Sequence, residues 1–122
     1  YPCAYSMTFN VTGNKLNAIL NQRSQDMLTA NNWNVCQYSA LTLMLAQVTG
    51  FEPGEFVHVI ADAHIYDRHI DLVKGVMEKE PFKAPKVRLN PDVKDFYDFT
   101  VDDFIVEDYE FHKLGKKVPV AI

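Results

Sequence analysis

Cys3 is the residue of this sequence best suited to nucleophilic chemistry, and it opens a run that alternates apolar and polar residues, CAYSMTFNV. The run from 15 to 23 is predicted to return antiparallel to it, which makes a hairpin. A three-residue loop sets Cys3 opposite Arg23, and a two-residue loop sets it opposite Ser24, with opposed Cβ atoms ~5 Å apart. A guanidinium beside a thiol favours the nucleophilic thiolate, which makes Cys3 a candidate nucleophile. The alternative interpretation is an unreactive cysteine in the core.

The segment RSQD, residues 23 to 26, is suited to binding an anion. Arg23 supplies a rigid fork of donors and Ser24 a hydroxyl, a combination that fits phosphate. The structural alternative is a solvated strand end with a surface ion pair. Asn34 also has a structural and a functional interpretation. Its side chain can cap a helix, or it can offer one donor and one acceptor to the edge of a base.

A second polar segment, DAHIY at 62 to 66, places alternate residues on one side of an extended chain. Asp62, His64 and the following His69 are conceivable metal ligands, but the sequence has none of the familiar zinc spacings. Recognition of a hydroxyl group by His64 and Tyr66 suits these side chains better, since both exchange hydrogen bonds readily.

The elements that must position these residues form one α/β unit. A helix is predicted over 34–49, where Asn34 is suited to the N-cap and Gly50 ends the helix. Its apolar residues lie nearly all round, which predicts a central helix with Cys36 in the core. A turn is predicted at 52–54, followed by a buried strand over 55–62. A surface helix is predicted over 67–79, with Ile70, Val73 and Met77 on its apolar side. Two further strands are predicted over 86–89 and 104–109.

Composition limits the classes of function. A chain of 122 residues with 48% apolar composition forms a single domain. Its net charge of −4 and scattered Lys and Arg argue against binding to nucleic acid or to a membrane surface. No apolar run approaches the ~18 residues of a membrane span. The two cysteines lack disulfide or metal spacing, which predicts free thiols and a cytoplasmic location.

The order and separation of four motifs resemble the C-terminal half of thymidylate synthases. These motifs are PC at 2–3, QRSQDM at 22–27, Asn34 and DAHIY at 62–66, and the chain also ends in VAI. The similarity extends over essentially all residues. The resemblance implies an α+β fold with a mixed, mainly antiparallel sheet, packed by a long central helix and a second surface helix. Residues 1–122 are then the C-terminal part of such a domain, whose N-terminal part is absent.

The resemblance implies the reductive methylation of dUMP to dTMP by 5,10-methylenetetrahydrofolate, which leaves as dihydrofolate. Cys3 adds to C6 of uracil and makes C5 nucleophilic, a form of covalent catalysis. Arg23 holds the phosphate and supports the thiolate, with Ser24, Gln25 and Asp26 on the same side of the nucleotide. No metal is implied.

By the same resemblance, Asn34 reads the edge of the uracil ring, since relatives that act on cytosine nucleotides carry aspartate there. The resemblance also implies that His64, Ile65 and Tyr66 contact the deoxyribose of the nucleotide. Asp26 and Ala121 are implied to contact the pterin of the folate. The implied partner is a second copy of the protein, bound through the sheet face.

The sequence departs from the family pattern at several positions. Ala4 stands where a histidine is usual, Thr8 where glutamine is common, and residues 28–33 replace a Leu-Gly-x-Pro-Phe approach to Asn34. The family's proton-transfer glutamate, folate-site tryptophans and several arginines precede the cysteine. We therefore expect these 122 residues alone to be inactive. The rival from another class is a non-catalytic nucleotide-binding or assembly module of the same fold.

Overall fold

A computed structural model describes residues 2–115 and 117–120. The chain forms mixed sheets and two α-helices, which is the α+β fold that the sequence predicts. The elements are β1 (Ala4–Thr12), β2 (Lys15–Gln22), β3 (Gln25–Asp26), α1 (Asn31–Thr49), β4 (Glu52–Ile60), β5 (Ala63–His64), α2 (Ile70–Met77), β6 (Lys86–Leu89) and β7 (Phe104–Glu107).

Three strands, in the order β1-β2-β4, form the sheet that carries the hairpin. β1 is antiparallel to β2, and β2 is parallel to β4. Two short sheets add a parallel pair, β3-β5, and an antiparallel pair, β6-β7. Helix α1 packs on the face that buries Leu16, Ala18 and Leu20 of β2, so the core described here lies between this strand and the helix.

The hairpin combines the two registers that its sequence allows. Thr12 pairs with Lys15 across a two-residue loop, where Gly13 takes a φ of 62° that glycine adopts without steric cost. This register holds as far as Ser6, and then a β-bulge at Tyr5 shifts it by one residue. Because a bulge adds one residue to one strand only, Cys3 comes to lie beside Arg23 instead of Ser24.

The predicted turn at 52–54 is wrong, because these residues are the first part of β4. Leu16 pairs with Pro53 and Ala18 with Phe56, so the parallel ladder contains an irregularity between them. A Cβ atom on Gly54 would lie 2.9 Å from the backbone oxygen of Leu16 on β2 and would also meet the side chain of Asn17. Glycine is therefore needed for the close approach of the two strands, and it does not mark a turn here.

Helix α1 begins three residues earlier than predicted. The backbone N–H of Asn34 donates to the carbonyl of Ala30 (3.0 Å), so Asn34 lies within the first turn and the N-cap prediction is wrong. Gly50 ends the helix with a φ of 76°, as predicted. Thr42 and Ala46 are its buried residues, which agrees with packing on the sheet.

The segment predicted as a second helix over 67–79 divides into two parts. A 3₁₀ turn spans Asp67–His69, and α2 follows it to Met77. The predicted apolar side is not buried, since Met77 is 79% exposed and Ile70 is also exposed. No helix in the described part of the chain is long and apolar enough to cross a bilayer.

The last strands follow the prediction closely. β6 occupies 86–89 as expected, and β7 ends at Glu107 because the next residue, Asp108, has a φ of 60°. That left-handed conformation does not fit an extended strand. The polar connection between these strands is held by Asn90, whose Nδ2 donates to Oδ1 of Asp103 (2.8 Å).

Candidate active site

The end of the hairpin joins the candidate nucleophile to a guanidinium. The backbone N–H of Arg23 donates to the carbonyl of Cys3 (2.9 Å), and Nε donates to the carbonyl of Pro2 (3.1 Å). Nη2 of Arg23 lies 3.9 Å from Sγ of Cys3, and the thiol is exposed. The predicted proximity of the thiol and the guanidinium is therefore confirmed.

A parallel ladder brings the segments 23–26 and 62–66 side by side, although about 40 residues separate them. The backbone N–H of Gln25 donates to the carbonyl of Asp62 (2.9 Å), and that of Met27 donates to the carbonyl of His64 (3.0 Å). The short β3-β5 pair continues the direction of the β2-β4 pair. The two polar motifs of the sequence therefore form one surface.

On this surface, His64 and Tyr66 lie edge to face, with ring centroids 5.1 Å apart. Nδ1 of His64 lies 3.3 Å from a carboxylate oxygen of Asp62. His69, the third residue considered for a metal, instead has Nε2 within hydrogen-bonding distance of the Pro119 carbonyl (2.8 Å). Across residues 2–115 and 117–120, no group of three His, Cys, Asp or Glu side chains is arranged to hold a metal ion.

Asp26 organises the turn that leads into α1. Its Oδ1 accepts from the backbone N–H of Leu28 (2.9 Å) and of Thr29 (3.2 Å), and its Oδ2 accepts from the Thr29 hydroxyl. Burial opposes ionisation, but these hydrogen bonds outweigh it and hold the pKa of Asp26 below its ordinary value, with a further contribution from His69. The carboxylate is therefore ionised at neutral pH and partly committed to the fold.

Asn34 joins this surface through a residue that the sequence analysis did not single out. Gln22 is 2% exposed, and its Nε2 donates to Oδ1 of Asn34 (3.3 Å) and to the carbonyl of Ser24 (2.9 Å). Its Oε1 lies 2.9 Å from Nε2 of His58. Gln22 and His58 lie on inward strand faces whose neighbouring positions are apolar, and that break in the pattern is the signal that could have identified them.

A cavity of about 370 Å³ lies beside this surface, lined by Asp26, Thr29, Tyr66, His69 and the segment 118–120. Besides the contact of His69 with the Pro119 carbonyl, Nη1 of Arg68 donates to the carbonyl of Val120 (2.7 Å). The C-terminal segment is thus held against the start of α2. Ala121, predicted at the pterin, lies outside the described residues.

A second cavity, of about 620 Å³, lies at the start of α1 and is lined by Asn32, Trp33, Cys36, Gln37 and Tyr109. Cys36 is exposed there, so the prediction of a core position is wrong for the chain as described. Trp33 and Tyr109 are exposed as well. Neither Cys3 nor Arg23 lines this cavity, so its size does not identify the reactive surface.

Comparison with known proteins gives one consistent family. The family model for thymidylate synthase matches residues 1–122. Thymidylate synthase 1 of Bacillus amyloliquefaciens is 49% identical over 120 residues, which cover 98% of this chain and 52% of that relative. Thymidylate synthase 1 of Bacillus subtilis strain 168 is 50% identical over 109 residues, which cover 89% of this chain and 39% of that relative.

The fold agrees with the sequence comparison. The structure of the thermostable thymidylate synthase A from Bacillus subtilis superposes with a TM-score of 0.90 at 46% identity, covering 99% of this chain and 42% of that one. The chain thus spans about half, or less, of the length of the relatives it matches. With the family model matched from the first residue to the last, the chain belongs to the thymidylate synthase family.

Proposed function

We propose that the protein carrying these residues methylates dUMP to dTMP with 5,10-methylenetetrahydrofolate. The observation that carries the proposal is the guanidinium of Arg23, 3.9 Å from the exposed thiol of Cys3. The resemblance to the family implies that Cys3 is the reactive cysteine. A positive group beside an accessible sulfur is the setting that a nucleophilic thiolate requires.

In the proposed reaction, the sulfur of Cys3 forms a bond to C6 of the uracil ring, and the electron pair of the C5–C6 double bond becomes available at C5. C5 then forms its bond to the one-carbon unit and loses its proton. The two bonds that join this carbon to folate nitrogens break, one as C5 attacks and the other as the C5 proton leaves. The reduced folate then transfers a hydride to this carbon, which completes the methyl group and leaves dihydrofolate. Departure of the Cys3 thiolate restores the double bond in dTMP. Covalent attachment divides one difficult substitution into easier steps.

The nucleotide is proposed to lie along the surface that the two polar segments form. Arg23 and Ser24, with the backbone of the neighbouring Gln25 and Asp26, bind the phosphate side. Asn34 contacts the base, while His64, Ile65 and Tyr66 contact the deoxyribose. The ladder between residues 25–27 and 62–64 supports this assignment, because it holds both groups at a fixed separation.

The pterin of the folate is assigned to the neighbourhood of Asp26 and Ala121. The cavity of about 370 Å³ supports this, since it combines the Asp26 carboxylate, the Tyr66 ring and the apolar residues Val118 and Val120. An ionised carboxylate suits a ring system rich in N–H donors, and the apolar side chains suit its faces. If the C-terminal segment closes over this cavity, it excludes water from the reacting atoms.

We further propose a homodimer that forms through the sheet face opposite α1, and a cytoplasmic location. Ile19, Val57 and Val59 are exposed neighbours on that face, and an apolar group of this kind favours burial against a partner. The location is supported by Cys3 and Cys36, which are both free thiols.

The 122 residues alone are proposed to be inactive, because the relative from Bacillus amyloliquefaciens is about twice as long. The resemblance to the family also implies further catalytic groups before the cysteine. Release of tritium from 5-tritiated dUMP, with methylenetetrahydrofolate present, tests both statements. The full-length gene product should release tritium and the isolated 122 residues should not. Absence of release by the full-length product would favour the rival function, a non-catalytic nucleotide-binding or assembly module.

A further inference from the structure

A polar cluster with two buried and two half-buried members lies behind the candidate nucleotide surface. It consists of Gln22, Gln25, Asn34 and His58, and is called the amide cluster below. Gln22 and Gln25 are almost fully buried, at 2% and 1% exposure. Polar side chains in such positions are costly unless their hydrogen bonds are made. Both ends of the Gln22 amide have partners, whereas Nε2 of Gln25 has none among the described residues, so the orientation of Gln22 is the better determined of the two.

The orientation of the Gln22 amide follows from a backbone carbonyl. The carbonyl oxygen of Ser24, 2.9 Å from Gln22, can only accept a hydrogen bond, so the NH₂ group of Gln22 must be the end that faces it. The same NH₂ group also faces the side-chain oxygen of Gln25 and, at 3.3 Å, Oδ1 of Asn34, so its two hydrogens are shared among three acceptors. The carbonyl end of the Gln22 amide therefore faces His58.

His58 must then be the donor in its contact with Gln22, 2.9 Å away. Burial lowers the pKa of His58 below its ordinary value, so the ring is neutral at physiological pH and carries one N–H group. That proton is on Nε2. His58 is the residue of the amide cluster that satisfies the Gln22 carbonyl, and it lies on β4, away from the polar segments of the surface.

Asn34 is the other end of this chain of contacts. Because its Oδ1 accepts from Gln22, its NH₂ group is the end directed away from the amide cluster. An NH₂ group is attracted to a carbonyl oxygen and is mismatched with an amino group. This geometry distinguishes a uracil ring, with oxygen at C4, from a cytosine ring, with an amino group there.

Resting on the proposed function, we propose that His58 is a positioning residue for base selection. Through Gln22, it fixes the amide of Asn34 with its NH₂ group toward the base, and so favours uracil over cytosine nucleotides. His58 itself contacts no substrate. Its effect is therefore on the preference between two bases and on the KM for dUMP, more than on kcat.

The test compares the binding of dUMP and dCMP to the full-length gene product by calorimetry. His58→Phe keeps a ring but removes the donor, which leaves a buried acceptor unsatisfied. We expect it to lower the preference for dUMP about ten-fold and to raise the KM for dUMP, with a smaller effect on kcat. His58→Gln restores a donor of similar reach and should recover most of the preference.

His112→Phe is the matched control, since His112 makes a similar ring contact with the carbonyl of Glu80 (2.9 Å), outside the amide cluster. It should leave the preference unchanged. The inference is overturned if His58→Phe retains the wild-type preference while only its melting temperature falls, or if the wild type does not prefer dUMP. Tritium release by the wild type is measured separately, so failure of the proposed function is distinguishable.

Discussion

Two neighbouring residues at the end of β2 face opposite environments. Arg23 lies on the exposed side, beside the thiol of Cys3, whereas Gln22 is buried against α1 and β4. The alternation of a β-strand produces this division directly, because successive side chains point to opposite faces. The exposed side supplies groups that can react with a ligand, and the buried side determines how Asn34 is oriented. Substitutions on the two sides should therefore change different quantities.

Removal of the candidate nucleophile should have the largest effect. Cys3→Ser in the full-length gene product should lower tritium release from dUMP at least about a thousand-fold, because a hydroxyl is a far weaker nucleophile than a thiolate at neutral pH. The melting temperature should change little, since Cys3 is exposed. Cys36→Ser is the matched control and should remain active. Activity in Cys3→Ser would remove the covalent mechanism.

Arg23 should have the next largest effect. Arg23→Met should slow alkylation of Cys3 by iodoacetamide about ten-fold, because the charge that stabilises the thiolate is lost. The rate is measured by mass spectrometry, with the Cys36 peptide as the internal reference. Arg23→Lys keeps the charge but not the fork of donors, so it should recover part of the rate. Equal rates in all three proteins would contradict an electrostatic role for Arg23.

Substitution of Gln22 tests the buried side of β2 through the free energy of unfolding. Gln22→Leu should lower the free energy of unfolding by about 1–3 kcal/mol, because His58, Asn34 and the Ser24 carbonyl each lose a buried partner. Asn21→Leu is the matched control one residue earlier, on the opposite face of β2, and should change stability by less than about 0.5 kcal/mol. Denaturant unfolding of both variants measures the difference. Similar losses of unfolding free energy in the two variants would show that the buried and exposed sides of β2 do not differ in their contribution to stability.

The smallest effect concerns Asp26 and pH. Its folded-state pKa lies below the ordinary value of 3.8, so its ionised form stabilises the fold above that pH. This contribution is lost as pH falls through the folded pKa. Thr29→Val removes the hydroxyl donor to Asp26 and should reduce the loss of stability in acid, measured as the difference in denaturant midpoint between pH 6 and pH 3. An unchanged difference would contradict this account.

The sequence was sufficient to predict the hairpin, the central helix, the α+β fold and the proximity of Cys3 to Arg23. It left Arg23 and Ser24 as alternatives, because the choice depends on the bulge at Tyr5, which no turn residue marks. The turn predicted from Pro53 and Gly54 was wrong, since glycine here permits close contact between strands. Local propensity does not reveal which backbone will lie beside a glycine.

The candidate site was predicted less completely than the fold. The motifs on the exposed surface could be found because their residue types suit a nucleotide, whereas Gln22 and His58 lie on the inward faces of their strands and contact other side chains. The roles of the individual site residues remain predictions. Cys36 was placed in the core from its apolar neighbours, but helix α1 is apolar on more sides than the described chain covers.

The parallel ladder between the two polar segments has a consequence for affinity. Residues 22, 25 and 27 are tied to residues 61, 62 and 64 by three backbone hydrogen bonds, from Ala61 to Gln22, from Gln25 to Asp62 and from Met27 to His64. The groups proposed to meet the two ends of a nucleotide are therefore held side by side by the backbone. A ligand that spans them does not have to bring them together, so little of its binding free energy is lost to ordering the protein.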